Sequence, residues 1–257
     1  MNMMKISCGS RTKEFEKGTS WKEIAESFRE DYDSDILLVH DLTGNRLIEL
    51  FKSCRSDRKV RFITYKDSDG RMTYSRSALF MLLKAFYDVC GHDKVEKVTV
   101  EFTIGGNFYI VPEGSFELSE ELLSEVEERM RSLRDEAIPI HKYSISVEKA
   151  IRRFKRHHMY DKSKLFHYRR VSRVNVYDLD GFEDYYYGAM CPDTSYVKLF
   201  ALKPYKEGFM MVLPSSADPS VLSEFRPSEK LFRVQSESFR WAQKIGVENI
   251  ADLNEAI

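Results

Sequence analysis

The chain reads as an α+β protein in two parts with a helical tail. Three features predict this. Short strand patterns flank one capped helix in the first 65 residues, a long acidic amphipathic helix lies among further strands, and the composition changes after Leu213. The order β-β-α-β-β-β up to residue 65 suits a small β-grasp domain. Residues 66–213 then read as antiparallel sheet with helices packed on it, and 214–257 as a linker and helical tail leading toward a further domain.

The elements follow in order. "KISCGSRTKEF" alternates like a strand pair, ended by Gly18. Thr19 or Ser20 can cap a helix whose apolar face is Trp21, Ile24, Ala25 and Phe28. "DILLVHDL" is a short buried strand, and "TGNRLIEL" a turn followed by a strand. "KVRFITYKDSDGR" reads as a strand ended by an Asp-Gly turn. Residues 78–89 are apolar on nearly every side, which predicts a central buried helix. "VEKVTVEFTI" and "NFYIVP" are strands. Ser119 caps a helix with Leu122, Val126, Met130 and Leu133 along one face. "IPIHKYSIS" is a strand and "SVEKAIRRFKRH" a helix, and "SRVNVYDL", "YVKLFALKP" and "GFMMVLP" are strands of a sheet. "PSSADPSVLSEFRPSEK" reads as a linker, and Gly246 ends the helix that follows.

Composition narrows the function. The chain has 257 residues, a net charge of −1, 42% hydrophobic and 32% charged residues. A normal core is expected, with no global pull toward nucleic acid or anionic membrane. No apolar run approaches the roughly 20 residues of a membrane helix. The N-terminus has no apolar signal core. Cys8, Cys54, Cys90 and Cys191 are widely spaced, which argues against a zinc ribbon or disulfide framework and fits a cytoplasmic protein.

Taken in order, "EKGTSWKEIAESF", "TGNRLIEL", "VRFITYKDSDGRMTYSRSALFMLLKAF", "GNFYIVP", "EKAIRRF" and "VYDLDGFEDYYYGAMCPDT" resemble the N-terminal half of threonyl-tRNA synthetase. The resemblance covers roughly residues 3–213 and implies a TGS-like β-grasp domain followed by an editing-like domain. That editing chemistry rests on an H-x-x-x-H pair on a helix and a C-x-x-x-H pair in a later loop. A spacing of four puts both histidines on one helical face, able to meet a metal or a water. Arg76 and Phe80 fall on the first pair here, and Tyr186 and Met190 on the second. Gly188, Pro192 and Thr194 keep the loop's scaffold. A guanidinium, a phenyl, a phenol and a thioether do not build a zinc site. The resemblance therefore implies a degenerate site with no catalytic residue and no metal. Its old cleft should be filled by apolar and aromatic side chains, with Phe80 and Met190 packed together and Tyr186 near. Cys191 lies one residue beyond a ligand position and reads as a small buried residue.

The same TGS and degenerate editing-like pairing resembles the N-terminus of one group of bacterial nucleoside kinases, the uridine kinases. That likeness implies a segment cut before a P-loop kinase domain, with ATP and Mg expected only in that missing domain. The segment would regulate the kinase or position its substrate, and its partner would be its own kinase domain. The alternative is an RNA-binding module derived from the synthetase, without editing activity; a relic hydrolase is the third reading. Within the segment, "KGTS" lacks the glycine spacing of a phosphate loop. His40-Asp41 and His92-Asp93 lack the further ligands of a metal phosphohydrolase.

The main charge feature is 149–173, with ten Lys/Arg against one Asp. Arg152, Arg153, Lys155, Arg156, Arg169 and Arg170 are candidate contacts to RNA or nucleotides, with Phe154, Tyr160, Phe166 and Tyr168 available to stack on bases. The bland alternative is a solvated helix face plus a loop whose arginines balance the acidic helix carrying Glu121, Glu125 and Glu128. His157 and His158 are adjacent and cannot both face one ligand from a helix.

Overall fold

The computed structural model describes residues 2–156, 159–168, 170–226, 228–247 and 250–256. The alternating N-terminal run forms a hairpin of β1 (Met3–Cys8) and β2 (Arg11–Glu16). Ser20 caps α1 (Trp21–Ser27), its Oγ accepting from the Glu23 amide at 3.2 Å. β3 (Ile36–Asp41), β4 (Arg46–Glu49) and β5 (Arg58–Thr64) complete a sheet of order β2-β1-β5-β3-β4. β1 and β5 pair in parallel at its centre and the other neighbours are antiparallel, which is the β-grasp arrangement. Trp21, Ile24 and Phe28 close its core against Met4, Ile6 and Phe62.

α2 (Ser68–Cys90) begins where the sequence predicts a turn. Asp67 stands at its N-cap, and its carboxylate accepts from the Thr64 amide at 3.0 Å. Gly70 is required for close approach, not for a turn: a Cβ there would lie 1.9 Å from the Thr64 carbonyl oxygen. Further along, Ala78, Phe80, Met81, Leu82, Ala85 and Phe86 have no exposed surface, so the helix is central as its all-round apolar pattern requires.

β6 (Val95–Ile104) and β7 (Asn107–Gly114) form the next hairpin. Ser119 caps α3 (Glu120–Glu136), which buries Leu123, Val126, Met130 and Leu133. Leu122 is only half-buried, so the inward residue of the first turn is Leu123. Then come β8 (His141–Ser146), α4 (Val147–Arg156), α5 (Tyr160–Tyr168), β9 (Arg173–Leu179), β10 (Phe182–Asp184), β11 (Ala201–Tyr205) and β12 (Gly208–Val212). These later strands do not make one sheet. β10-β9-β8 form one antiparallel sheet and β11-β12-β7-β6 another. Residues 185–200 carry the chain between them, pinned to the start of β8 by Ile140 N–H to the Pro192 carbonyl at 2.9 Å and Thr194 N–H to the Ile138 carbonyl at 3.0 Å.

The Ser/Pro stretch after Leu213 is held down at its start. Tyr65 donates to the Pro214 carbonyl at 2.8 Å, and the Ser223 amide to the Leu213 carbonyl at 2.9 Å. α6 (Glu229–Lys244) lays Phe232 against the rings of Phe102, Tyr109 and Tyr205. α7 (Ile250–Ala256) packs on α5, burying Ala251 and pairing Asp252 with Lys164 at 2.7 Å.

Candidate functional site

Arg76 and Phe80 lie one turn apart on α2, and the loop after β10 carries Tyr186 and Met190. The fold brings all four into one neighbourhood. The Phe80 and Tyr186 rings meet edge to face at 5.5 Å. Met190 joins the same apolar core as Phe80, and its sulfur lies 3.6 Å from the Ser77 Oγ. Ser77 is the fastener that sequence reading missed: its Oγ accepts from the Cys191 amide at 2.8 Å and donates to the Thr73 carbonyl at 2.9 Å. Arg76 spreads over Gly188 and donates to the Ala189 carbonyl at 3.4 Å.

This cluster is chemically quiet. Phe80, Met190 and Cys191 have no exposed surface. Burial pushes the Cys191 thiol up to about 12. Burial, with the Asp184 carboxylate beside it, holds the Tyr186 phenol well above its usual range. No general base or nucleophile is poised here. Among the described residues no group of three or more His, Cys, Asp or Glu is placed to hold a metal ion. His40 bonds to Asn45 at 3.1 Å and His92 packs on the Tyr87 ring.

The expectation of a wholly filled cleft needs correction. Phe80 and Met190 are packed away, but an open cleft of about 450 Å³ remains beside them, reached by Arg76 and Tyr186. It runs between β3–β4, the start of α2, the β8–β9 strands and the loop 185–189. Lys52, Lys142, Arg173 and the 82%-exposed Tyr187 join Arg76 around it. The buried Glu49 carboxylate faces it, held by Lys142 Nζ at 3.0 and 3.1 Å and by the Tyr177 hydroxyl at 2.6 Å. These residues come from β4 and the turn after it, α2, β8, β9 and the loop 185–189, and no local spacing in the sequence joins them.

The basic stretch divides into two kinds of residue. Arg152, Lys155 and Arg156 on α4 are exposed, as is Arg170 beyond α5. None of these four makes an ion pair among the described residues. Arg153 is committed: it binds the Glu183 carboxylate and donates to the Tyr143 hydroxyl at 2.8 Å. Arg169, His157 and His158 lie outside the described residues. The aromatics divide likewise. Phe154 and Phe166 stack in the core at 5.6 Å and cannot meet a base, whereas Tyr160 and Tyr168 are exposed. The part expected as a loop is the helix α5. Among the described residues the expected pairing with the acidic helix does not form either, because α3 supplies its own arginines: Arg131 binds Glu127 and Glu128, and Arg129 binds Asp88 and Glu136.

The fold thus defines a β-grasp unit joined to a helix-and-sheet unit, with Arg76, Phe80, Tyr186 and Met190 gathered where α2 meets the loop 185–191. No family model matches the chain. Threonine–tRNA ligase of Thermotoga petrophila is 26% identical over 195 residues, covering 75% of this chain and 29% of the ligase. The Oceanobacillus iheyensis enzyme is 28% identical over 197 residues, 74% of this chain and 29% of the ligase. That of Thermus thermophilus is 24% identical over 189 residues, 70% of this chain and 28% of the ligase. The chain is homologous, at modest identity, to the N-terminal region of threonyl-tRNA synthetases. It spans under a third of the length of these relatives. They bear on the synthetase half of the sequence expectation and say nothing of a uridine kinase. No helix among the described residues is long and apolar enough to cross a membrane.

Proposed function

We propose that this chain is an RNA-binding module derived from the synthetase N-terminal region and without editing activity. The observation that carries the reading is the exposed row of Arg152, Lys155 and Arg156 on α4, joined by Arg170, none of them in an ion pair among the described residues. Exposed cations outside any ion pair among the described residues, with only Glu148 one turn from Arg152, are placed for phosphate oxygens. Exposed Tyr160 and Tyr168 lie on the neighbouring helix, where a splayed base can stack. Because the relatives are named as tRNA ligases, transfer RNA is the RNA to try first. The absence of editing follows from the residues at the ligand positions: Phe80 and Met190 are buried hydrophobes, and Arg76 and Tyr186 offer no zinc ligand set.

The test is a titration of transfer RNA against the protein and against a variant with Arg152, Lys155 and Arg156 changed to Ala, at two salt concentrations. The protein should bind with affinity that falls steeply with salt. The variant should show a shallower slope, by roughly 0.7–0.9 for each phosphate it no longer neutralises. Unchanged binding in the variant, or no binding at low salt, would refute the reading. Deacylation of mischarged transfer RNA should be undetectable.

A further inference from the structure

The cleft adjoins the cluster and shares a wall with it. Arg76 and Tyr186 reach it, and its other walls come from β3–β4, β8–β9, the start of α2 and the rest of the loop 185–189. Its volume of about 450 Å³ falls within the range of small-ligand sites, roughly 300–1,000 Å³. Four cations, Lys52, Arg76, Lys142 and Arg173, face two carboxylates, Glu49 and Asp69.

The way these charges are spent selects an anion. Glu49 is saturated by Lys142 and Tyr177, with Lys52 3.4 Å away. Arg76 has no carboxylate: its contacts are a long hydrogen bond to the Ala189 carbonyl and the Met72 sulfur at 3.9 Å. Arg173 donates to the Ser144 hydroxyl at 3.1 Å and the Ser144 carbonyl at 2.6 Å, and likewise meets no carboxylate. Two guanidiniums whose partners are neutral leave donors for phosphate oxygens, which a planar fork binds well. On the rim, Tyr187 presents an 82%-exposed ring, which among the described residues meets no other ring. A phosphate-binding floor with a free aromatic face beside it matches a nucleoside phosphate, with its anion inside and its base stacked on the rim.

We infer that this cleft binds a free nucleoside phosphate, with Arg76, Lys52 and Arg173 on the phosphates and Tyr187 under the base. The site is distinct from the RNA-binding face on α4, so either can fail without the other.

Isothermal titration of the whole chain with ATP, UTP, inorganic pyrophosphate and a short single-stranded RNA tests it. At least one of the two nucleotides should saturate a single site. Arg76→Ala with Lys52→Ala should weaken that binding by about tenfold or more. Tyr187→Ala should weaken the nucleotide and leave pyrophosphate unchanged, because only the nucleotide has a base to stack. The α4 variant of the preceding section should bind nucleotide as the parent does. Tyr187 is so exposed that its variant keeps the test open if the double variant does not fold. The inference falls if neither nucleotide binds, if Tyr187→Ala has no selective effect, if nucleotide binding is lost in the α4 variant, or if only the RNA binds.

Discussion

Glu49 on β4 and Lys142 on β8 join two sheets: Lys142 Nζ donates to both carboxylate oxygens of Glu49, at 3.1 and 3.0 Å. The Tyr177 hydroxyl lies 2.6 Å from the same carboxylate and 2.5 Å from the Gly188 carbonyl, with one proton to give. Glu49 is 3% exposed, so its removal strands a largely buried ammonium. Glu49→Ala should therefore destabilise by about 3 kcal/mol, toward the value for breaking a buried pair. Adding Lys142→Ala should recover part of that loss. Urea unfolding of the three variants measures both, and strictly additive losses would show the pair to be uncoupled.

Gly188 serves the same loop differently. Its φ is +126°, and a Cβ there would lie 2.5 Å from the guanidinium carbon of Arg76. Gly188→Ala should cost about 1–3 kcal/mol from backbone strain and displacement of Arg76. Arg76→Ala in the same chain should relieve only the side-chain clash, leaving the backbone part in the unfolding free energy.

Metal dependence should be absent. Arg76, Phe80, Tyr186 and Met190 form no zinc ligand set, and three of them are packed into or against one apolar core. Dialysis against a strong chelator should leave the thermal midpoint unchanged, and untagged protein should carry zinc well below one equivalent. A chelator-induced drop in the midpoint would contradict this reading of the cluster.

Raised proton affinities give a signed pH response. Burial lifts the Cys191 thiol from its usual 9.0 to about 12, and the Tyr65 phenol from 10.0 to about 12. Below about pH 9 both groups are protonated whether the chain is folded or not, so their contribution is fully present. As pH rises from there toward 12, the unfolded chain releases these protons and the native state retains them. Linkage then favours unfolding, so stability should fall across that window. Urea unfolding followed by circular dichroism at a series of pH values should show the midpoint falling as pH rises from about 9 toward 12. A midpoint that stays level across that window would contradict the burial assigned to these groups.

Local chemistry made much of the fold readable. The Ser20 and Ser119 caps, the all-apolar α2 and the β-grasp order follow from side chains acting on their own neighbourhood. Asp69-Gly70 misled because an Asp-Gly pair signals a turn only when nothing packs on it, and here Gly70 admits the Thr64 carbonyl. The partition of seven strands into two sheets is a long-range choice that alternation does not encode. That Phe80, Tyr186 and Met190 come together was legible, because the resemblance pairs the α2 positions with those of the later loop. The cleft was not, since Lys52, Lys142, Arg173 and Tyr187 converge only through the packing of separate sheets. The basic stretch showed its charge but not which arginine already had a partner.

Arg152 and Arg153 are neighbours on α4 and should behave oppositely. Arg153 is half-buried against Glu183 and Tyr143, with its cation near the Tyr143 ring face. Arg152 is exposed and makes no ion pair among the described residues. Arg153→Ala should cost stability of about 1 kcal/mol, more than a surface pair and less than a fully buried one, because both partners retain some solvent exposure. Its effect on transfer RNA affinity should be small. Arg152→Ala should leave the unfolding midpoint within error and lower affinity for every RNA sequence about equally, since a phosphate contact carries no base information. The salt dependence should also flatten by the share of one phosphate. Urea unfolding and transfer RNA titration, run on both variants at two salt concentrations, give four results that separate the roles. If Arg153→Ala weakens binding as much as Arg152→Ala without altering stability, the Glu183 pair does not hold in solution and Arg153 belongs to the RNA face.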